Sequence, residues 1–165
     1  FVDGGFFFHT NDDAAGRPWN TRAVWAPDGA GEGGFTHLHG QARVDWKPGT
    51  RHAAGAVVSL TDDQGKPAGE VAFRPLYEFF MLGLGYGHPK WGHGLSHGPM
   101  AVEREDIRLA DVDPRLPLHL HIQALSEVSY ADSEGRVRRG RGVLEQLALG
   151  PHAPSGFMDV LDFAP

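Results

Sequence analysis

The alternation of apolar and polar residues with a period of two constrains the fold most strongly. In residues 36–46, THLHGQARVDW, the apolar residues fall on one face of an extended chain and the polar residues on the other. Residues 118–130, LHLHIQALSEVSY, repeat this pattern. Such alternation is typical of an antiparallel strand with one buried face. The predicted buried faces are Leu38, Ala42, Val44 and Trp46 in the first segment, and Leu118, Leu120, Ile122, Ala124, Val128 and Tyr130 in the second.

Turn sequences separate the strand-like runs. The tetrapeptides Asp62–Gly65 and Asp132–Gly135 each stand between two such runs and predict hairpins. No segment carries a clear helical stripe, and residues 103–112 favour at most one or two helical turns. We therefore predict about nine strands, at residues 2–9, 19–25, 34–46, 51–60, 68–86, 98–109, 117–131, 136–149 and 156–163.

Many strands joined by tight turns predict an all-β, antiparallel fold with little helix. The run 68–86 is too long for a flat strand, and Pro75, Gly83 and Gly85 are sites for a bend or a bulge. Long bent strands favour a closed sheet over a sandwich. We therefore predict that residues 1–165 form a single lipocalin-like (calycin-type) barrel, with space for one small apolar ligand.

Charge and composition exclude several classes of function. Lys and Arg total 15 against 21 Asp and Glu, a net charge of −6, which argues against a general nucleic-acid binder. The absence of cysteine excludes thiolate metal sites and cysteine nucleophiles. No apolar run reaches the roughly 18 residues that a membrane helix requires. We expect a soluble, cytoplasmic protein without a membrane span.

Histidines and aromatic residues are densest in the glycine-rich run 83–100. Glycines allow the backbone to approach a ligand closely, and an aromatic–histidine cluster can stack on an apolar substrate and move protons near neutral pH. The alternative is a connecting loop whose Trp closes one end of the barrel. We predict His88 as a catalytic acid, and Tyr86, Trp91, His93 and His97 as substrate-binding residues.

Residues 85–92 of that run, GYGHPKWG, resemble the G-Y-H-D-H-x-W-G signature of the carotenoid 1,2-hydratase family. AttH-like proteins and lipocalin-like cyclases share the broader architecture of that family. Tyr86, Trp91 and Gly92 match residue for residue, and His88 stands where the family pattern has its acid. The positions of the two family histidines are occupied here by Gly87 and Pro89.

The resemblance implies two consecutive lipocalin-like barrels and apolar polyene or terpenoid-like substrates. It also implies hydration, isomerisation or cyclisation driven by proton transfer without a cofactor. This chain, which begins abruptly at Phe1, would then be one barrel of the pair. Its partner would be a preceding lipocalin-like domain or a second chain.

A carboxylate in apolar sequence surroundings is the second candidate for chemistry. Glu78 lies within LYEFFML, and burial among apolar residues would raise its pKa and allow it to act as a general acid. The alternatives are that Glu78 points outward, or that it pairs with an arginine such as Arg139 or Arg141. Glu145 is a weaker candidate of the same type.

Two His-x-His pairs, His37/His39 and His119/His121, raise a third possibility. Residues i and i+2 of a strand share a face, so each pair could bind one metal ion, and Glu127 could supply a carboxylate to the second pair. The alternative is that these histidines lie on the wet outer face of the sheet. A metal site at His119, His121 and Glu127 would favour a cupin-like metalloenzyme.

The sequence leaves three functions open. The first is a cofactor-free hydratase, isomerase or cyclase that acts on a polyene, terpenoid or polyketide-like molecule, with Glu78 and His88 as its acids. The second is a non-catalytic carrier of an apolar ligand, because a fold alone does not specify a reaction. The third is the metalloenzyme.

Overall fold

A single antiparallel sheet, curled into a half-barrel, makes up the regular structure. The computed structural model describes residues 1–29, 31, 33–81, 90, 96–102, 104, 106–113, 115–116, 119–160 and 162–165. Within these ranges two short 3₁₀ turns, Leu109–Asp111 and Ala153–Ser155, accompany the sheet. Its strands follow one another in chain order: β1 Gly4–His9, β2 Arg22–Pro27, β3 Thr36–Trp46, β4 Ala53–Thr61, β5 Pro67–Phe80, β6 His121–Asp132 and β7 Val137–Leu147.

The predicted all-β class is confirmed, but two of the predicted strands are not formed by the described residues. Seven strands lie in the described part of the chain, and the described residues of 98–109 and 156–163 form none. Met100 and Val102 are 88% and 92% exposed, so no neighbouring strand covers the apolar side chains of the first segment. β5 ends at Phe80, and the rest of its predicted extent to residue 86 lies almost wholly outside the described residues. No helix among the described residues combines the length and the apolar character needed to cross a membrane.

Within β3 and β6 the two alternating segments place their side chains as their sequences predict, whereas Leu118 lies outside the described residues. In β3 the apolar side chains are half-buried, whereas His37, His39 and the other polar residues are exposed. In β6 the even-numbered residues from Ile122 to Tyr130 are buried. The prediction that His37 and His39 lie on the wet face is therefore confirmed.

Both predicted hairpins are present and share the same hydrogen bonds. The Asp62 carboxylate accepts the backbone N–H groups of Gln64 and Lys66, each at 2.9 Å. Asp132 accepts those of Glu134 and Arg136 at 3.0 and 2.9 Å. Gly65 and Gly135 have φ of 76° and 79°, a left-handed conformation that favours glycine. These turns set the β4–β5 and β6–β7 registers.

The main core lies on the concave face of the sheet, where complete burial of one Val or Leu side chain stabilises the fold by about 1.5–3 kcal/mol. Near this core, Arg138 of β7 donates to Asp3, just before β1, at 2.6 Å, and its guanidinium lies 5.5 Å from the Trp25 ring. The curl therefore brings the two edges of the sheet toward each other. The buried core residues are Ala23, Val58, Leu60, Val71, Val128 and Tyr130.

Candidate functional site

A β-bulge in β5 turns Glu78 toward the concave face. Before the bulge the odd-numbered residue Val71 is buried. The register with β6 shifts between Pro75 and Tyr77, and beyond it the even-numbered Glu78 lies opposite the buried Ala124. The predicted bend at Pro75 is confirmed. Its consequence is that the Glu78 side chain points inward and is only 20% exposed, which removes the alternative that it points outward.

The turn between β3 and β4 places Lys47 and His52 beside Glu78. The Lys47 N–H donates to the His52 carbonyl at 2.8 Å. The Thr50 hydroxyl donates to the Lys47 carbonyl at 2.8 Å and accepts the His52 N–H at 3.0 Å. These bonds hold the two ends of the turn together, so that both side chains reach the end of β5.

Three titratable side chains meet at this point. Lys47 Nζ lies 2.5 Å from Glu78 Oε1, and His52 Nδ1 lies 4.0 Å from Glu78 Oε2. The salt-bridge partner of Glu78 is therefore Lys47, and not Arg139 or Arg141 as the alternative prediction had it. We refer to Lys47, His52 and Glu78 as the cleft triad.

Burial determines the electrostatics of His52, which is 5% exposed. Desolvation lowers the pKa of His52 below its ordinary value of 6.5, while the Glu78 carboxylate raises it and the Lys47 ammonium lowers it. No hydrogen bond of normal distance and angle reaches the buried His52 Nε2 from the described residues, and the same holds for His121 Nδ1 and His152 Nε2. The His119 backbone nevertheless lies close enough to the His52 ring to raise its pKa. A buried polar atom without a full hydrogen bond is uncommon in folded proteins.

The cleft triad borders an open cleft of about 530 Å³. This volume falls within the roughly 300–1,000 Å³ range of small-molecule sites. The His52 and Phe80 rings also contact each other, with 5.6 Å between their centroids. Most of the remaining lining is apolar: Ala54, Pro75, Leu76, Tyr77, Phe80, Leu109 and Val112, with Thr50 as a further polar group.

The arrangement is suited to proton transfer. A neutral imidazole can accept a proton, and a carboxylate near its other nitrogen can stabilise the imidazolium that forms. The 4.0 Å separation of Glu78 Oε2 and His52 Nδ1 exceeds a hydrogen bond, but such contacts are often long before substrate binds. The Lys47 ammonium at the edge of the cleft can stabilise negative charge on a ligand.

The residues of the predicted metal site have separate partners. The His121 Nε2 atom lies 2.9 Å from the Glu145 carboxylate, and Glu127 forms ion pairs with Arg74 and Arg141. β6 begins at His121, so His119 precedes the strand. Within the described ranges, no group of three or more His, Asp and Glu side chains could hold a metal ion.

His119 is a structural residue at the end of the connection into β6. It is buried, and its Nδ1 lies 2.9 Å from the backbone nitrogen and 2.8 Å from the carbonyl oxygen of Asp113. This contact closes the turn before β6. The expectation that His119 and His121 present their imidazoles side by side on one strand is therefore wrong.

Most of the predicted motif residues lie outside the described part of the chain. They are Tyr86, His88, Trp91 and His93. His97 is described and exposed. The roles predicted for these five residues stay predictions.

Sequence reasoning found Glu78 and missed its two neighbours in the triad. Lys47 and His52 belong to no motif, because Lys47 only precedes the turn-favouring Pro48 and Gly49, and His52 stands in RHAAGAVV. The one available signal is that Pro48 and Gly49, which favour a turn, stand between the two residues. Turn geometry alone does not reveal that the bulge in β5 brings Glu78 to them.

The comparisons with known proteins place the chain in a family without assigning its activity. Residues 1–158 match the model of a family described as "Family of unknown function (DUF8625)". No curated protein and no solved structure matches the chain significantly.

Proposed function

We propose that this chain, which belongs to the family DUF8625, binds an apolar small molecule in its concave cleft and transfers a proton on that molecule without a cofactor. The observation that carries the proposal is the Glu78 carboxylate, held between Lys47 Nζ and His52 Nδ1 at the border of an apolar cleft. The ligand class is a polyene, a terpenoid or a polyketide-like molecule.

The lining of the cleft supports an apolar ligand with one polar group. Leu76, Phe80 and Val112 provide apolar contacts, each of which contributes about 25 cal/mol per Å² of apolar surface removed from water. The polar groups are concentrated at the triad, so a carbonyl or hydroxyl of the ligand would point there. One polar end thus orients a largely apolar ligand.

The proposed reaction is an isomerisation in which the ligand gains and loses one proton. His52 accepts a proton from a ligand carbon next to a carbonyl and returns it to another carbon, so that no oxidant or reductant is needed. Glu78 stabilises the imidazolium that forms, and Lys47 stabilises the negative charge on the ligand oxygen. In this scheme Glu78 is the charged partner of Lys47. His52, and not Glu78 as the sequence predicts, is the group that exchanges the proton.

The resemblance of residues 85–92 to the carotenoid 1,2-hydratase family remains part of this proposal. That segment follows Phe80, a residue of the cleft, along the chain, which supports including Tyr86, Trp91 and the nearby histidines in the ligand site. From the same resemblance we propose that the curled sheet is of the lipocalin type. A preceding lipocalin-like domain or a second chain would then complete the barrel.

Displacement of a neutral fluorescent probe tests ligand binding. N-phenyl-1-naphthylamine should bind with enhanced emission, and terpenoid alcohols and ketones should displace it. A Leu76→Asp/Val112→Asp variant should lose this binding, whereas Glu70→Gln, on the exposed face of β5, should retain it. If the wild type does not bind the probe, or if both variants bind it equally, the cleft is not the ligand site.

Deuterium incorporation tests the chemistry. An unsaturated terpenoid ketone incubated with the protein in D₂O should gain deuterium at the carbons beside its conjugated system. Glu78→Gln and His52→Leu should lower the rate by about 10²–10⁴-fold, the usual contribution of acid–base catalysis. If the wild type binds the ketone but exchanges no deuterium, the protein is a ligand carrier and the proposed enzymatic activity is wrong.

A further inference from the structure

A second hollow lies on the convex face of the sheet, away from the cleft triad. Three consecutive residues from each of three adjacent strands line it: 72–74 of β5, 127–129 of β6 and 139–141 of β7. Its volume is about 540 Å³. Small side chains, Ala72 and Ser129, lie opposite each other at its centre. We refer to it as the arginine hollow.

Long charged side chains surround this centre. Arg74 lies opposite Glu127, and Glu127 lies opposite Arg141 in the strand registers. Arg139 lies opposite Ser129 in the adjacent row. The small centre and the long rim produce a depression in which several guanidinium groups can reach one bound molecule.

Positive charge in the hollow exceeds negative charge by two. Glu127 is the one carboxylate of the lining and contacts both Arg74 and Arg141. The hydrogen bond from Arg74 lowers the pKa of Glu127, which keeps it ionised. Arg139 is exposed and has no carboxylate partner in the described ranges, and the Ser129 hydroxyl makes no hydrogen bond to another described residue. This excess stands out in a chain of net charge −6.

We propose that the arginine hollow binds a small phosphate monoester, with Arg139, Arg141 and the Ser129 hydroxyl as the principal donors. A phosphate monoester carries about −1.5 to −2 charges at neutral pH, which matches the excess of the hollow. Guanidinium groups bind phosphate oxygens through paired hydrogen bonds. A polyanion such as nucleic acid would require a longer basic track, whereas this group of arginines is confined to three strands.

Calorimetric titration of the full chain with phenyl phosphate and with inorganic phosphate, at constant ionic strength, tests the proposal. The wild type should bind phenyl phosphate saturably in the micromolar to millimolar range. Arg139→Ala should weaken binding about tenfold or more, the effect of losing one charge-assisted hydrogen-bonding group. The matched control is Arg43→Ala, on the exposed face of β3 with its own partner Asp45, which should bind like the wild type.

A second variant is expected to strengthen phosphate binding, in contrast to Arg139→Ala. Glu127→Gln removes the carboxylate that competes with the ligand, so it should bind phenyl phosphate more tightly than the wild type. Absence of saturable binding, equal losses in Arg139→Ala and Arg43→Ala, or weaker binding in Glu127→Gln would overturn the proposal. Binding of single-stranded DNA that strengthens with its length, without saturable binding of phenyl phosphate, would also overturn it.

Discussion

Arg51 and His52 are neighbours in the chain, and both are buried basic side chains, yet their surroundings differ. Arg51 is 1% exposed and donates to the carbonyls of Gly150, Asp159 and Asp162 at 2.6–2.7 Å. His52 has a buried ring nitrogen without a full hydrogen bond from the described residues. Burial lowers the pKa of both groups. The Arg51 guanidinium forms its hydrogen bonds within the fold, whereas the His52 ring has a nitrogen to which no described residue makes a full hydrogen bond.

This difference indicates that Arg51 has a structural role and that His52 is the candidate functional residue. Arg51 holds the segment after β7 against the turn between β3 and β4, and its guanidinium lies 4.3 Å above the Phe157 ring. Gln146 of β7 fixes the same turn by accepting the Ala53 N–H and donating to the Arg51 carbonyl, each at 2.6 Å. The well-anchored turn then holds His52 beside Glu78. A rigid support for a poised group is what a functional site requires.

The largest effect is expected from Arg51→Met. The substitution leaves several carbonyls without their donor, and we expect the free energy of unfolding to fall by about 3 kcal/mol or more. Urea denaturation followed by circular dichroism measures the change. Arg43→Met, at an exposed position on β3, should change stability by no more than about 0.5 kcal/mol. Equal stability of the two variants would show that Arg51 does not anchor the segment.

In contrast to Arg51→Met, His52→Leu should affect the chemistry and not the stability. Removing a buried nitrogen without a full hydrogen bond should leave the free energy of unfolding unchanged or raise it by up to about 1 kcal/mol, while proton exchange on the ligand is lost. The same denaturation experiment, combined with the deuterium assay, checks both parts. A loss of stability comparable to that of Arg51→Met would make His52 a structural residue like its neighbour.

Glu78→Gln should affect stability little and chemistry strongly. The Lys47 side chain is 43% exposed, so their salt bridge contributes at most about 1 kcal/mol to stability. The matched control is Glu70→Gln on the same strand. If Glu78→Gln unfolds the protein at much lower urea concentrations than Glu70→Gln, then the salt bridge is part of the core of the fold.

The pH dependence of stability gives the smallest expected effect. The folded-state pKa of His52 lies below its ordinary value of 6.5, so the unfolded chain takes up a proton first as the pH falls. The contribution of His52 to the free energy of unfolding is therefore fully present above about pH 6.5 and is lost as the pH falls toward the folded-state pKa. Comparing wild type and His52→Leu across this range isolates the contribution. Parallel curves would show that the folded-state pKa is not lowered.

The contrast between local and distant contacts also explains which parts of the fold are predictable from the sequence. Alternation in β3 and β6, the two Asp–Gly turns and the bend at Pro75 were all predictable, because each depends on residues adjacent in the chain. The described residues of the predicted strand at 156–163 form no strand, and carbonyls there bind Arg51, about a hundred residues earlier. The pairing of an isolated arginine with a distant backbone leaves no periodic signal in the sequence.

The candidate site was predictable only in its carboxylate. Glu78 stands out because it interrupts an apolar run, whereas its inward direction depends on the register shift between Pro75 and Tyr77. Lys47 and His52 join it through a turn whose direction the sequence does not specify. Contacts that depend on how three strand ends meet in space are tertiary, so propensity and spacing do not predict them.

Imidazole nitrogen NMR of His52, recorded across pH with and without a bound terpenoid ketone, tests directly whether His52 is the group that exchanges the proton. We expect His52 to titrate below its ordinary pKa of 6.5. We also expect the proton to reside on Nδ1, facing Glu78, and the Nε2 resonance to shift when the ligand binds. A His52 that titrates at or above 6.5 and does not respond to a ligand whose binding is independently established would rule out this role.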